Sequence, residues 1–179
     1  MLMEDQSSGL CSPLREWFAV HVCSRREKVV EKLLSEKGFE TFLPLTVKRS
    51  RVSARRFREA QLPLFPGYLF SRFHPSVEDL YRIGATKGVV GVVRARSTPV
   101  PVPEAEIEAI KMVLASKIEC SASPTFASGQ KVIIKEGPLR GLEGEILHRK
   151  NRHLFVIKIA LIKRMLELDI NPLDLGIAC

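Results

Sequence analysis

"GQKVIIKEGPLRGLEGEI", Gly129 to Ile146, is the stretch on which the architecture of this chain turns. Val132 and Ile134 alternate with Lys131, Ile133 and Lys135, the period-2 pattern of a strand with one apolar face. Gly137-Pro138 marks a turn, and Gly141 permits a tight reversal after it. Gly144 falls inside the next apolar run, where a missing side chain signals a bend or a close backbone approach. Two short strands joined by a glycine-punctuated turn are the reading.

Downstream, "LHRKNRHLFVIKIALIKRMLELDI" continues with short alternating segments and an Asn-Arg turn, the spacing of a small all-β barrel. One part of it supports two periods. As strands, Phe155, Ile157 and Ile159 alternate with Leu154, Val156 and Lys158. As a helix, Leu154, Ile157, Leu161, Met165 and Leu168 share one face, with no proline before Pro172. Strands are the default, a helical hairpin the alternative.

Upstream, residues 117–129 are rich in Ser, Ala and Pro and weak in periodicity, which reads as a linker. Before the linker the pattern is mixed. "EWFAVHV", Glu16 to Val22, carries apolar groups on both faces, as a strand covered on both sides does. Ser24 with Glu27 forms a capping box for a helix to about Lys37 that buries Val29, Val30, Leu33 and Leu34 and stops at Gly38. "FETFLPL", "PLFPGYLFSRF" and "VVGVVRA" read as strands. Ser76 opens one further helix, and "VPEAEIEAIKMVLAS" forms another with Pro103 near its start. The domains expected are a loose tail at 1–14, an α+β domain at 15–116, a linker at 117–127 and a barrel at 128–179.

Composition narrows the function. The chain has 179 residues, 45% hydrophobic and 27% charged, with a formal net charge of +8. That balance is globular, and the excess of cations suits an acidic partner, nucleic acid being the commonest. Six basic and no acidic residues fall in "KRSRVSARRFR", Lys48 to Arg58, between strands. Such a hairpin tip either binds a polyanion or is a solvated loop. Cys11, Cys23, Cys120 and Cys179 form no CxxC pair, so neither a metal site nor a disulfide framework is expected, and a reducing cytoplasm is the natural compartment. No apolar run approaches membrane-spanning length, and no signal peptide is evident. His21 and Cys23 have no acid partner or oxyanion loop nearby, so no catalytic residue is assigned and no cofactor is expected.

The Gly129–Ile146 stretch resembles a KOW motif, with Gly129, Val132, Ile134, Gly137, Pro138, Gly141 and Gly144 as its positions. The upstream elements occur in the order of the NusG N-terminal domain. "PLFPGYLF", "IGATKGV" and "KVIIKEGPLRG" lie near the wording of specialised paralogues, the RfaH and UpxY-like antiterminators. Asp79, Leu80 and Tyr81 stand where RfaH has its polar gate-loop contact. The resemblance covers about Trp17 to Leu175. It implies an antiparallel sheet flanked by helices, followed by an SH3-like KOW barrel. It also implies a monomeric, non-enzymatic elongation and antitermination factor, with a housekeeping NusG coupled to Rho or the ribosome, or a KOW-type RNA- or ribosome-binding protein, as alternatives.

Partners and sites follow from the resemblance. RNA polymerase, through its clamp helices, would be bound by His21, Phe65, Pro66, Tyr68 and Phe70. Core packing is the competing place for the three rings of that strand, above all Phe70. Upstream or non-template DNA would meet Arg25, Arg26, Arg49, Arg51, Arg55, Arg56, Arg58, Thr86 and Lys87, of which Thr86 and Lys87 are the candidates for reading bases. The KOW barrel would recruit a ribosomal protein or Rho.

Overall fold

Trp17, Phe18, Ala19 and Val20 are all buried, so the strand they form is covered on both faces. The computed structural model describes residues 14–53, 56–116, 118, 120–123, 129–149, 152–159, 162, 164–169 and 175–177. Residues 1–13 of the tail expected at 1–14, and 54–55 at the hairpin tip, lie outside them. So do 124–127 of the expected linker and residue 128.

Strand β1 (Glu16–Val22) lies inside an antiparallel sheet with β2 (Glu40–Phe42), β5 (Tyr68–Phe73), β6 (Val89–Val92) and β9 (Pro101–Val102). The order is β2-β5-β1-β6, with β9 also paired to β1. Register places Ala19 opposite Phe70 and His21 opposite Tyr68, while Val20 faces Leu69. One face therefore carries Phe18, Val20, Leu69 and Phe73. It is covered by Val30 and Leu34 of α1 (Glu27–Glu36) and by Ile83 of α2 (Val77–Gly84). The other face carries Trp17, Ala19 and Phe70 beneath Ile107, Ile110 and Val113 of α3 (Glu104–Ser116). Trp17 Nε1 donates to Glu104 Oε1 at 3.2 Å, tying that helix to β1.

Several local expectations change here. Ser76 caps α2 as expected, its hydroxyl accepting from Asp79 N–H at 3.1 Å. The capping box at Ser24 does not form: α1 starts at Glu27 behind Arg26 and has no side-chain cap bond. Glu27 lies three residues ahead of Val30 and seven ahead of Leu34, so its side chain shares their inward face. Val29 is 48% exposed rather than buried. At the other end α1 closes at Gly38, with Phe39 N–H on Leu34 O and Gly38 N–H on Ser35 O, as expected.

"VVGVVRA" is not one strand. After β6, a small hairpin of β7 (Arg94–Ala95) and β8 (Thr98–Pro99) intervenes. The basic segment is a two-stranded ribbon of β3 (Leu45–Ser53) and β4 (Arg56–Pro63). "PLFPGYLF" is not one bent strand either, because β4 stops at Pro63 and β5 starts at Tyr68.

The C-terminal part is a six-stranded antiparallel sheet in the order β10-β14-β13-β12-β11-β15. Its strands are β10 (Cys120–Ser123), β11 (Gln130–Ile134), β12 (Glu143–Arg149), β13 (Arg152–Ile159), β14 (Arg164–Asp169) and β15 (Leu175–Ile177). The segment read with two periods is thus β13 and β14, the strand alternative. Val132, Ile134, Phe155, Ile157, Leu166 and Leu168 fill the interior. Gly144 is required by packing, since a Cβ there would collide with the Phe155 ring and the Val156 carbonyl. Gly137, Pro138 and Gly141 form the turn between β11 and β12, and Gly141 N–H returns to Ile134 O at 2.8 Å. Gly129 N–H donates to Glu145 Oε2 at 2.8 Å.

Part of the expected linker is structural. Cys120–Ser123 pairs along β14, from Cys120 opposite Leu168 to Ser123 opposite Met165. The interior of the barrel is continuous with the core under α3. A cavity of about 570 Å³ between them is lined by Ala105, Glu106 and Ala109 on one side and by Gly144, Val156 and Lys158 on the other.

Candidate functional site: an aromatic ledge beside a cationic edge

Proline cannot donate to a ladder, so Pro66 belongs in a turn. The turn is type II: Tyr68 N–H donates to Phe65 O at 3.0 Å, with Pro66 and Gly67 central. Gly67 has φ of 84°, the left-handed value that this turn demands at its third position. Both polar groups of Gly67 are taken. Its N–H donates to Glu27 Oε1 at 2.9 Å, and its carbonyl accepts from Val22 N–H at 2.9 Å. The turn is therefore hooked to the start of α1 and to the end of β1.

That geometry sorts the five residues expected at a protein-docking face. His21 and Pro66 are exposed, and Tyr68 is half-buried. The His21 and Tyr68 rings stack at 5.1 Å between centroids, 25° apart, making a ledge on the sheet face. Phe65 and Phe70 are fully buried. Phe65 sits edge-on to Phe70 at 6.1 Å, and Phe70 stacks with Phe42 at 6.2 Å. The expectation that Phe65 shares the surface with Tyr68 is corrected: Phe65 packs into the core cluster around Phe70, while Tyr68 lies only partly buried against it.

A cationic edge adjoins the ledge. Arg25 and Arg26 are exposed, Arg25 with a left-handed φ of 63°. Cys23 N–H donates to Gly88 O at 2.8 Å, which brings the 85–88 turn against the start of α1. Lys87, exposed, joins Arg25 and Arg26 there. Thr86 does not. It is 3% exposed, its hydroxyl donating to Arg82 O at 2.9 Å and accepting from Lys37 Nζ at 2.6 Å. As placed here it has no free group for a base, because the ends of α1 and α2 close over it. Arg82 Nη2 returns a bond to Lys37 O at 2.7 Å.

Arg55 lies outside the described residues, and Arg49, Arg51, Arg56 and Arg58 are described by backbone alone. Their ribbon starts beside α1, where Lys28 Nζ donates to Gln61 O at 3.1 Å. A groove of about 710 Å³ separates Arg25 and Lys28 from Leu62, Pro66 and Cys120. Among the described residues no group of His, Cys, Asp or Glu could hold a metal ion, and no helix is long and apolar enough to cross a membrane.

Among the described residues three carboxyls have shifted affinities, and Glu31 is raised by burial. Burial raises Glu106 above its ordinary range, and its Oε2 has no hydrogen-bond partner. Burial also acts to raise Glu145, but the Lys158 ammonium, at 2.8 Å from both oxygens, and the Gly129 N–H outweigh it and lower the net value.

Sequence reasoning missed Glu27 and Lys37 as the residues that hold the two turns. A signal for Glu27 existed: it is a carboxyl on the same helical stripe as Val30 and Leu34. Lys37 left none, since its partners lie 45 and 49 residues away.

A helix-flanked antiparallel sheet followed by a small strand-rich unit is the NusG-like fold class. A family model described as transcription termination factor NusG matches residues 15–111. The chain belongs to the NusG family of transcription termination/antitermination factors. It is 21% identical over 152 residues to the NusG of Rickettsia bellii, covering 80% of each chain. It is 27% identical over 148 residues to that of Thermus thermophilus, covering 73% of this chain and 80% of the relative. A solved structure concerned with domain interaction in Thermotoga maritima NusG superposes with a TM-score of 0.56 at 21% identity, over 90% of this chain and 96% of that one. That likeness is one of fold.

Proposed function

We propose that the chain is a specialised elongation and antitermination factor of the RfaH and UpxY-like type. Its first domain binds the clamp helices of RNA polymerase and suppresses pausing and termination. The observation that carries this reading is the ledge. Pro66 and Tyr68, on a turn held at both polar groups of Gly67, bring a proline and a ring to the surface beside the His21 ring of β1. A small rigid apolar patch of that kind suits a protein anchor.

The mechanism is differential binding. A ligand that prefers the closed clamp shifts polymerase away from paused states by the difference in its two affinities. Arg25, Arg26, Lys87 and the basic ribbon meet upstream or non-template DNA, where phosphate contacts position without reading sequence. The barrel is left to recruit a ribosomal protein or Rho. The specialised type is supported by "PLFPGYLF", "IGATKGV" and "KVIIKEGPLRG".

Mapping where the protein sits on transcribing polymerase across a genome tests this. Occupancy confined to a few long operons is expected. General occupancy overturns the specialised reading in favour of a housekeeping factor, and co-purification with ribosomal subunits instead of polymerase overturns both.

A further inference from the structure

Glu27 is the only charged side chain among the described residues that is buried to this degree, at 4% exposure. It has left the helix cap that its position offers and reaches across 40 residues of sequence to Gly67. The reason lies in the turn. A type II turn uses the N–H of its fourth residue, here Tyr68, for its own bond. The Gly67 N–H is left without a local acceptor, and a buried orphan N–H is costly. The Glu27 carboxyl supplies that acceptor.

We propose that Glu27 is a positioning residue for the docking ledge: by holding the Gly67 N–H it fixes the Pro66-Gly67 turn, and with it the His21–Tyr68 ring pair. The inference rests on the reading that this ledge receives polymerase. Val22 N–H holds the Gly67 carbonyl from the β1 side, one residue after His21, so β1 sets one ring and the turn sets the other. The imidazole lies close against the turn, its Cδ2 3.8 Å from where a Gly67 Cβ would stand. Released from Glu27, the turn can tilt, and Tyr68 leaves its register with His21. The same helix starts beside Arg25 and Arg26, so this one bond also sets the ledge relative to the cationic edge.

Four variants of the full-length chain test this: Glu27→Gln, Glu27→Asp, Glu27→Leu and Tyr68→Ala. Each is measured for core-polymerase affinity, melting temperature, and the NMR signals of the Gly67 amide and the His21 and Tyr68 rings. Glu27→Gln keeps an acceptor at the same reach and is expected to bind within about twofold of the parent. Glu27→Asp keeps the charge but falls short. Glu27→Leu removes the acceptor. Both are expected to lose about tenfold in affinity, the order expected when a buried N–H loses its acceptor, with displaced ring signals and a retained fold.

If Glu27→Leu does not fold, the contrast of Gln against Asp decides. Parent-like binding by Glu27→Asp, or binding by Glu27→Gln as weak as by Asp, overturns the positioning role while weak binding by Tyr68→Ala keeps the docking reading intact. Parent-like binding by Tyr68→Ala sinks the docking reading itself, and the inference with it.

Discussion

Replacing Phe65 and Tyr68 separately by Ala should divide two roles that lie three residues apart. Phe65 is fully buried and packs edge-on to Phe70. Truncating such a ring leaves a cavity and costs about 3–5 kcal/mol. For a chain of this length each kcal/mol lowers the melting temperature by about 2–4 °C, so Phe65→Ala should melt about 6–20 °C below the parent. Tyr68 is half-buried, and its main ring contact is the stack on His21. Losing that stack costs about 1 kcal/mol, a shift of a few degrees. Its loss at the interface should be larger, about 2 kcal/mol or roughly thirtyfold in polymerase affinity. Calorimetry of the two variants and titration against core polymerase give both numbers. Equal melting temperatures would refute the division into core and ledge, and so would a Tyr68→Ala variant that loses stability but not affinity.

The remaining predictions concern the basic ribbon, the barrel and the contact under α3. Charge reversal at Arg55, Arg56 and Arg58 should weaken association with the elongation complex most at low salt, and affinity indifferent to both would leave the ribbon solvated only. Gly144→Val should unfold the barrel, because its side chain must enter the space of the Phe155 ring; unchanged amide spectra of β12 and β13 would contradict this. The Glu145 carboxyl is held below its ordinary value, so its contribution is present above the unfolded value and lost as pH falls through the lower folded one. Glu145→Gln should therefore flatten acid unfolding of the barrel in that window. Glu106 has the opposite sign. Its raised value means stability present in acid and lost as pH rises through the folded value. Glu106→Gln should tighten the packing of α3 on the barrel at neutral pH, read by slower amide exchange in both.

Much of the architecture was legible because it is written in local periods. Glu16–Val22 shows apolar groups on both faces, and it lies inside the sheet. Val132 and Ile134 alternate with Lys131, Ile133 and Lys135, and they are the buried pair of β11. Ser76 and Gly38 mark helix ends because capping needs only residues within one turn. The dual period of residues 154–168 could not be resolved locally. Pairing decided it: β13 bonds to β12 on one side and to β14 on the other, contacts that no single segment contains.

The sequence by itself determined that apolar rings gather around Pro66-Gly67 and that cations gather near Arg25, Lys87 and Lys48–Arg58. Only the tertiary structure decided which of them are free to act. Phe65 and Phe70 were covered by the core packed on that face of the sheet, while His21 and Tyr68 stayed at its surface. Thr86 was taken by Lys37 and Arg82, and Glu27 abandoned its own helix end for Gly67. Periodicity states which side a residue points to, not what stands there to meet it. A buried hydrogen-bonding group takes whatever partner the fold brings within reach, and Lys37 for Thr86 and Glu27 for Gly67 come from 40 or more residues away.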